Sequence, residues 1–234
     1  MLKHRCGPRP ATVSLPGSPC AICGDGSVMS DEDLLYSHVL KTIGASPGQW
    51  PGGWPDEIEA ALIDAVFSVR ARYGSRERKT GVYGAVLRWR AHRGQRADDL
   101  GFLARTSEEL LRGITNNGKI GRRRKAEAVI DAARALADAG VIHAGDFGAH
   151  QVAARAAYLS VKGCGPVTWS YFRMLLGFED VKPDRWVMRF IQDELPNVSA
   201  PAEASTLVTA VAARLGVQAR QLDHAIWRYR RDQP

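Results

Sequence analysis

The chain has 234 residues, 45% of them hydrophobic, and a formal net charge of +7. That is enough apolar material for one large domain or two small cored units, and the positive balance favours a polyanionic partner. No apolar run approaches the ~20 residues of a membrane span, no apolar leader core follows the basic start, and the four cysteines make no secreted disulfide framework, so a cytoplasmic, nucleoid-associated protein with no membrane contact is expected.

Residues 1–28 are rich in Pro, Gly and Ser, lack periodicity and read as a flexible tail. Cys20-Ala-Ile-Cys23 has the spacing of a zinc half-site, and Cys6 with His4 offers two more ligands at irregular spacing. The duller alternative is that Met29 is the natural start, since it directly precedes a helix N-terminus, and no metal site is assigned. Ser30, with Asp33 three residues later and acids through the first turn, opens a helix that turns Leu34, Leu35 and Val39 inward and stops near Gly44. Residues 45–55 form a Gly/Pro/Trp loop whose Trp50 and Trp54 cover a core edge. Asp56-x-x-Glu59 starts the next helix, which runs to about Tyr73 with Ile58, Ala61, Leu62, Ala65, Val66 and Val69 as its apolar stripe.

Helices follow over 79–93, carrying Val82, Val86 and Trp89, over 98–105, and from Thr106-x-x-Glu109 to near Gly113. Residues 114–121 read as a loop, and Arg122-Arg-Arg-Lys125 begins a helix with Ala126, Val129, Ile130, Ala133 and Leu136 inward. Cations at a helix start oppose the dipole, so either phosphate contact or a solvated charge run accounts for them. Residues 140–148 form a loop, with His143 and His150 structural or exposed.

Helical patterns over 151–160 and 166–176 flank the turn Gly163-Cys164-Gly165. The glycines allow positive φ and leave room for a close partner, and Pro166 suits a first helical position. Free amides and the positive dipole end then face outward, which makes an anion site, or else this is an ordinary helix–turn–helix corner. Asp184 begins another helix and is either its cap or an acid held beside the turn. Helices over 202–215 and 219–230 close the chain, with Leu222, Ile226 and Tyr229 packing back on the first helices.

Two linked stretches, Val161-Lys-Gly-Cys-Gly-Pro-Val-Thr168 and Pro183-Asp-Arg-Trp-Val-Met-Arg189, resemble the motifs of the helix-hairpin-helix (HhH-GPD) DNA glycosylases, the superfamily of endonuclease III and the adenine, alkylbase and mismatch enzymes. The resemblance covers roughly residues 30–230 in layout and is sharp only over 158–189. It implies an all-α, two-lobed fold with the substrate between lobes. Residues 29–72 and 186–234 would form the terminal-helices lobe, and residues 73–185 the central lobe with the hairpin motif. In bifunctional members a Schiff-base lysine stands where this chain has Val167. Valine is no nucleophile, so amine catalysis from that position is excluded, and borohydride trapping is expected to fail.

The resemblance therefore implies a monofunctional glycosylase of base excision repair, in which Asp184 assists water and stabilises a cationic sugar. Gly163, Gly165, Lys162, Thr168, Arg122 and Lys125 are the candidate DNA contacts. Arg70 stands where the family's gap-filling glutamine stands, with a solvated helix end as the alternative. Trp186, Tyr171, Trp169 and Tyr73 are candidates to wall a base pocket, where extruded bases are read by stacking and edge hydrogen bonds, burial being the other reading of each. The implied partner is double-stranded DNA with a damaged or mismatched base, bound by a monomer. Hairpin carbonyls around Val161 are a candidate monovalent-cation site, and the absence of cysteine after Cys164 argues against the iron–sulfur cluster of some relatives. Rival readings are a catalytically inactive hairpin DNA-binding module, with Asp184 only a cap, and a glycosylase for modified bases in defence or biosynthesis.

Overall fold

The computed structural model describes residues 29–75, 77–94 and 96–233. The candidate zinc ligands His4, Cys6, Cys20 and Cys23 and the tail reading lie outside the described residues. Among the described residues eleven α-helices carry the fold: α1 (Asp31–Thr42), α2 (Ile58–Phe67), α3 (Gly81–Arg93), α4 (Leu100–Arg105), α5 (Glu108–Ile114), α6 (Lys125–Asp138), α7 (Phe147–Ser160), α8 (Pro166–Leu175), α9 (Arg185–Gln192), α10 (Pro201–Leu215) and α11 (Ala219–Arg231). Among the described residues, strand pairing is limited to β1 (Lys119–Ile120) against β2 (Arg123–Arg124). The protein is all-α, and no described helix is long and apolar enough to cross a membrane.

Local chemistry sets several boundaries. The box expected at Ser30 forms: its hydroxyl accepts from Asp33 N–H, and Asp33 accepts from Ser30 N–H. The helix expected from Arg122 starts three residues later, because Gly121 (φ +60°) turns Ile120 back onto Arg123 in the short ladder. Thr106 closes α4 rather than opening α5; Ser107 is the N-cap, accepting from Leu110 N–H at 3.2 Å. The expected loop at 140–148 contains a 3-10 turn (Ala144–Asp146), and α7 already starts at Phe147.

Buried apolar side chains fall into two clusters. One runs from Ile58 to Leu176 and includes α2, α6 and the hairpin helices α7 and α8. The other joins Leu35 and Val39 of α1 to Val181, α9, α10 and α11. The side chains of α2, which the sequence-based division groups with the terminal helices, belong to the first cluster. Every residue of α2 is buried, so it has no solvent face to offer and must be enclosed by other helices. A strap through Gly53 and Trp54 crosses the end of α8, with Trp54 N–H donating to Leu175 O at 2.6 Å. A side chain at Gly53 would collide with the Leu175 backbone, since an added Cβ would meet its carbonyl oxygen at 2.3 Å.

Enclosing α2 required its two acids to be satisfied inside. Glu59, expected to help start the helix, is instead a fully buried hub. It accepts from Trp89 Nε1 at 2.9 Å, Arg93 Nε at 3.0–3.1 Å and Asp99 N–H at 2.9 Å. Burial raises its pKa, and Arg93 opposes that shift. The helix start is covered from a distance, with Ile58 N–H donating to Asp98 Oδ1 at 3.2 Å. Its end comes six residues before the expected Tyr73, because Lys125 Nζ donates to Phe67 O at 2.7 Å and Val69 O at 2.6 Å. Glu59→Ala should lower unfolding free energy by about 3–5 kcal/mol by stranding the buried Arg93 charge. Urea unfolding should show this as a reduced midpoint at an unchanged slope.

Candidate active site at the junction of the two cores

The turn between α7 and α8 is built largely as its sequence suggests. Gly163 is left-handed (φ +102°) and lies against Ile120 of β1. Gly165 is extended (φ −132°), so glycine is not required there for conformation, and the space where its side chain would stand is open. Cys164 N–H donates to Val161 O at 2.9 Å. The Cys164 thiol is pushed up to about 11 by burial, which removes it as a nucleophile. Lys162 is exposed, but its carbonyl accepts from Arg123 Nη1 at 2.8 Å. A side-chain cation thus already occupies part of the carbonyl set considered for a monovalent ion.

Several expected contacts change character. Thr168 is buried; its hydroxyl accepts from Gly165 N–H at 2.9 Å and donates to Gly165 O at 2.8 Å, so it caps α8 rather than facing DNA. Lys125 is also buried, with its ammonium spent on the end of α2, and burial lowers its pKa to about 8. Trp169 belongs to the central core, packed with Phe147, Tyr158 and Phe172, and is not a pocket wall. Trp186 is half-buried, and the cations over its ring are Arg185 at 4.5 Å and Arg189 at 5.9 Å. Arg122 is exposed at the tip of the β1–β2 turn, beside the hairpin.

Arg70 is exposed and left-handed (φ +48°), a conformation uncommon for a non-glycine residue and costly unless its surroundings enforce it. Lys125 supplies that enforcement by gripping the two carbonyls just before it.

Asp184 caps α9 with one carboxylate oxygen. Its Oδ1 accepts from Trp186 N–H at 2.8 Å and Val187 N–H at 3.4 Å. The other oxygen, Oδ2, lies 3.9 Å from Lys182 Nζ, and the side chain is 20% exposed. Asp184 N–H donates to Lys182 O at 2.6 Å across Pro183, a tight three-residue turn that fixes both side chains relative to each other.

Around this pair the two cores meet. Lys182 Nζ lies 3.7 Å from the centre of the Tyr171 ring and 3.4 Å from Ser68 Oγ. Lys182 N–H donates to Asp223 Oδ1 of α11 at 2.8 Å. Asp64, fully buried in α2, accepts from Trp54 Nε1 at 2.9 Å, Tyr73 OH at 2.8 Å and Tyr171 OH at 3.4 Å. The Tyr73 ring meets Trp227 edge-on at 6.4 Å, and Trp227 stacks with His224. Of the expected pocket residues, Tyr73 and Tyr171 meet at Asp64, and Tyr171 lies against Lys182, the neighbour of Asp184. Asp64, Lys182, Asp223 and Trp227 were not singled out from sequence. Asp64 and Asp223 did leave a trace, as acids inside the apolar runs Leu62–Val66 and Leu222–Ile226.

Burial dominates the electrostatics here. It raises the pKa of Asp64, against donors from Trp54 and Tyr73, and raises Asp223 to about 8, with the nearby Asp184 adding to the shift. It lowers that of Lys182, against the pull of Asp184, Asp223 and Asp64. Two cavities, of about 440 and 400 Å³, lie elsewhere: one between the Trp50 strap and Arg220, the other between Thr42 and Tyr229. Among the described residues no group of three or more His, Cys, Asp or Glu is placed to hold a metal ion.

The raised Asp223 has a thermodynamic consequence. Between about pH 4 and pH 8 the unfolded chain loses this proton while the folded chain keeps it, so its contribution to stability is full below the unfolded value and is lost as pH rises. Asp223→Asn keeps an oxygen for the Lys182 amide and should flatten that fall. Melting temperatures of both proteins across this range measure the difference.

No curated protein and no solved structure matches the chain. A family model described as Domain of unknown function (DUF8548) matches residues 35–231, from within α1 to the end of α11. Lys182, Asp64, Asp184, Asp223 and the hairpin all lie within the matched residues, and the chain belongs to the DUF8548 family.

Proposed function

We propose that this chain is a DNA glycosylase that hydrolyses the N-glycosidic bond of an extruded damaged or mismatched base. The observation that carries the reading is the division of labour within Asp184. One oxygen fixes the carboxylate to its helix, and the other lies 3.9 Å from Lys182 Nζ on a side chain that stays 20% exposed, with Tyr171 and Asp223 in contact with Lys182. A fixed carboxylate of this kind stabilises positive charge developing on a sugar and orients the attacking water. Tyr73 and Trp227 would offer stacking groups to the base, with Asp64 holding the Tyr73 ring in place.

The periphery supports the same reading. Arg70 is displayed on a strained turn next to the Asp64 helix, suited to fill the space a nucleotide leaves. Gly163, the open side of Gly165, Lys162 and Arg122 form an exposed basic corner for the backbone. In this scheme the two cores are the lobes of the fold, and the product is an abasic site.

A second reading has one observation in its favour. The capping bonds of Asp184 are sufficient reason for an acid at that position, as a non-catalytic DNA-binding module would need. Asp184→Asn separates the two, because it retains a capping oxygen and removes the charge. Base release should be screened on duplexes carrying uracil, mismatched thymine, hypoxanthine or methylated purines, with alkali cleavage to reveal abasic sites. For the accepted lesion, Asp184→Asn should slow release at least about a hundredfold while leaving duplex affinity nearly unchanged. Release from none of these duplexes by the unsubstituted chain would favour the binding module.

A further inference from the structure

The larger cavity, about 440 Å³, lies where the strap through Trp50 and Gly53 passes the end of α8 and the start of α11. Its walls come from both cores, since Trp50 packs on the first cluster and Leu222 of α11 belongs to the second. That volume suits a small organic molecule rather than an inorganic ion. Its polar lining is built from donors. Gln218 Oε1 accepts from Arg220 Nε at 3.1 Å and Nη2 at 2.9 Å, and Gln221 Oε1 accepts from Gln218 N–H at 2.9 Å. These bonds orient both carboxamides, and among the described residues neither NH₂ group has a partner. Arg220 Nη1 donates to the carbonyl of Gly177, which stands at a left-handed corner (φ +92°). Three of the five guanidinium N–H groups are so engaged, and two remain. Glu179 Oε1, 3.3 Å from Arg220 Nε, offsets part of the charge, while its other oxygen accepts from Ala219 N–H at 3.0 Å. The Trp50 ring centre lies 5.8 Å from the guanidinium carbon, and its indole N–H has no partner among the described residues.

Surplus donors, one cation and an aromatic face select a flat, acceptor-rich anion. A nucleobase stacks on an indole, its edge acceptors take carboxamide N–H groups, and a guanidinium takes phosphate. We propose that this cavity binds a nucleoside 5′-monophosphate, with the base on Trp50, the base edge toward Gln218 and Gln221, and the phosphate on Arg220. Guanine suits the donors best, because its O6 and N7 are neighbouring acceptors. The nucleotide is either free or the 5′-phosphorylated end of a single strand, which presents the same three groups. The cavity is separate from Asp184, so the proposal stands or falls independently of base release.

Titration calorimetry of the full chain tests this with dGMP, with deoxyribose 5-phosphate, and with a short single strand ending in a 5′-phosphorylated guanine nucleotide. One dGMP should bind per chain, and deoxyribose 5-phosphate, which lacks the base, at least about tenfold more weakly. A strand that binds more tightly than dGMP and is displaced by it assigns the site to strand ends; a weaker one assigns it to the free nucleotide. Trp50→Ala should weaken dGMP binding at least about tenfold while circular dichroism shows intact helices. Should that variant not fold, the Trp50 indole N–H resonance of the unsubstituted chain decides, since dGMP should shift it. Failure of dGMP to bind at millimolar concentration, equal binding of deoxyribose 5-phosphate, or binding that leaves Trp50 unaffected overturns the proposal.

Discussion

One buried cation among three carboxyl groups governs the centre of this protein. Lys182 brings a positive charge to the place where the two hydrophobic cores meet, and Asp184, Asp223 and Asp64 surround it. Desolvation disfavours every charge placed there, so the arrangement settles with few of them. Asp64 and Asp223 both resist ionisation, which leaves Asp184 as the acid that faces solvent. Packing alone would have favoured leucines at these positions. The cost of keeping ionisable groups there is the physical reason for reading the junction as chemistry.

The surroundings are arranged to hold that group still. The segment before α9 is tied down by Arg173 to Asp180 at 2.8 Å and by Glu179, which accepts from Ala219 N–H at 3.0 Å. The hairpin is held by Arg123 from one side and by the Thr168 hydroxyl from the other. Under the proposed function, a phosphate arriving at this corner would meet a surface that needs little ordering on contact.

Much of the helical layout was legible because it rests on local rules. The Ser30 box, Pro166 at a helix start and Asp184 as a cap are each decided within a few residues of sequence. What was not legible depends on partners distant in the chain. The early end of α2 is set by Lys125, fifty-six residues beyond Val69, and its start is covered by Asp98. The same long-range bonds moved Lys125 from the surface to the interior, and packing with Phe147 and Tyr158 took Trp169 out of contention. Asp64 and Asp223 were visible as polar interruptions of apolar runs, but nothing local says that both point at Lys182 or its neighbours.

The run Arg122–Lys125 shows how charge on paper differs from charge available to solvent. Lys125 is buried in backbone carbonyls, Arg123 is engaged by Lys162 O, Glu127 and Asp131, and Arg124 lies 3.8 Å from the Glu108 carboxylate, leaving Arg122 as the exposed member of the run with no acid beside it among these pairs. Counterions condensed on a nucleic acid are displaced by cations that reach its phosphates, not by those already neutralised within the protein. The ionic-strength sensitivity of any such complex should therefore be shallower than the surplus of basic residues suggests, with hydrogen bonding and shape carrying the rest of the affinity.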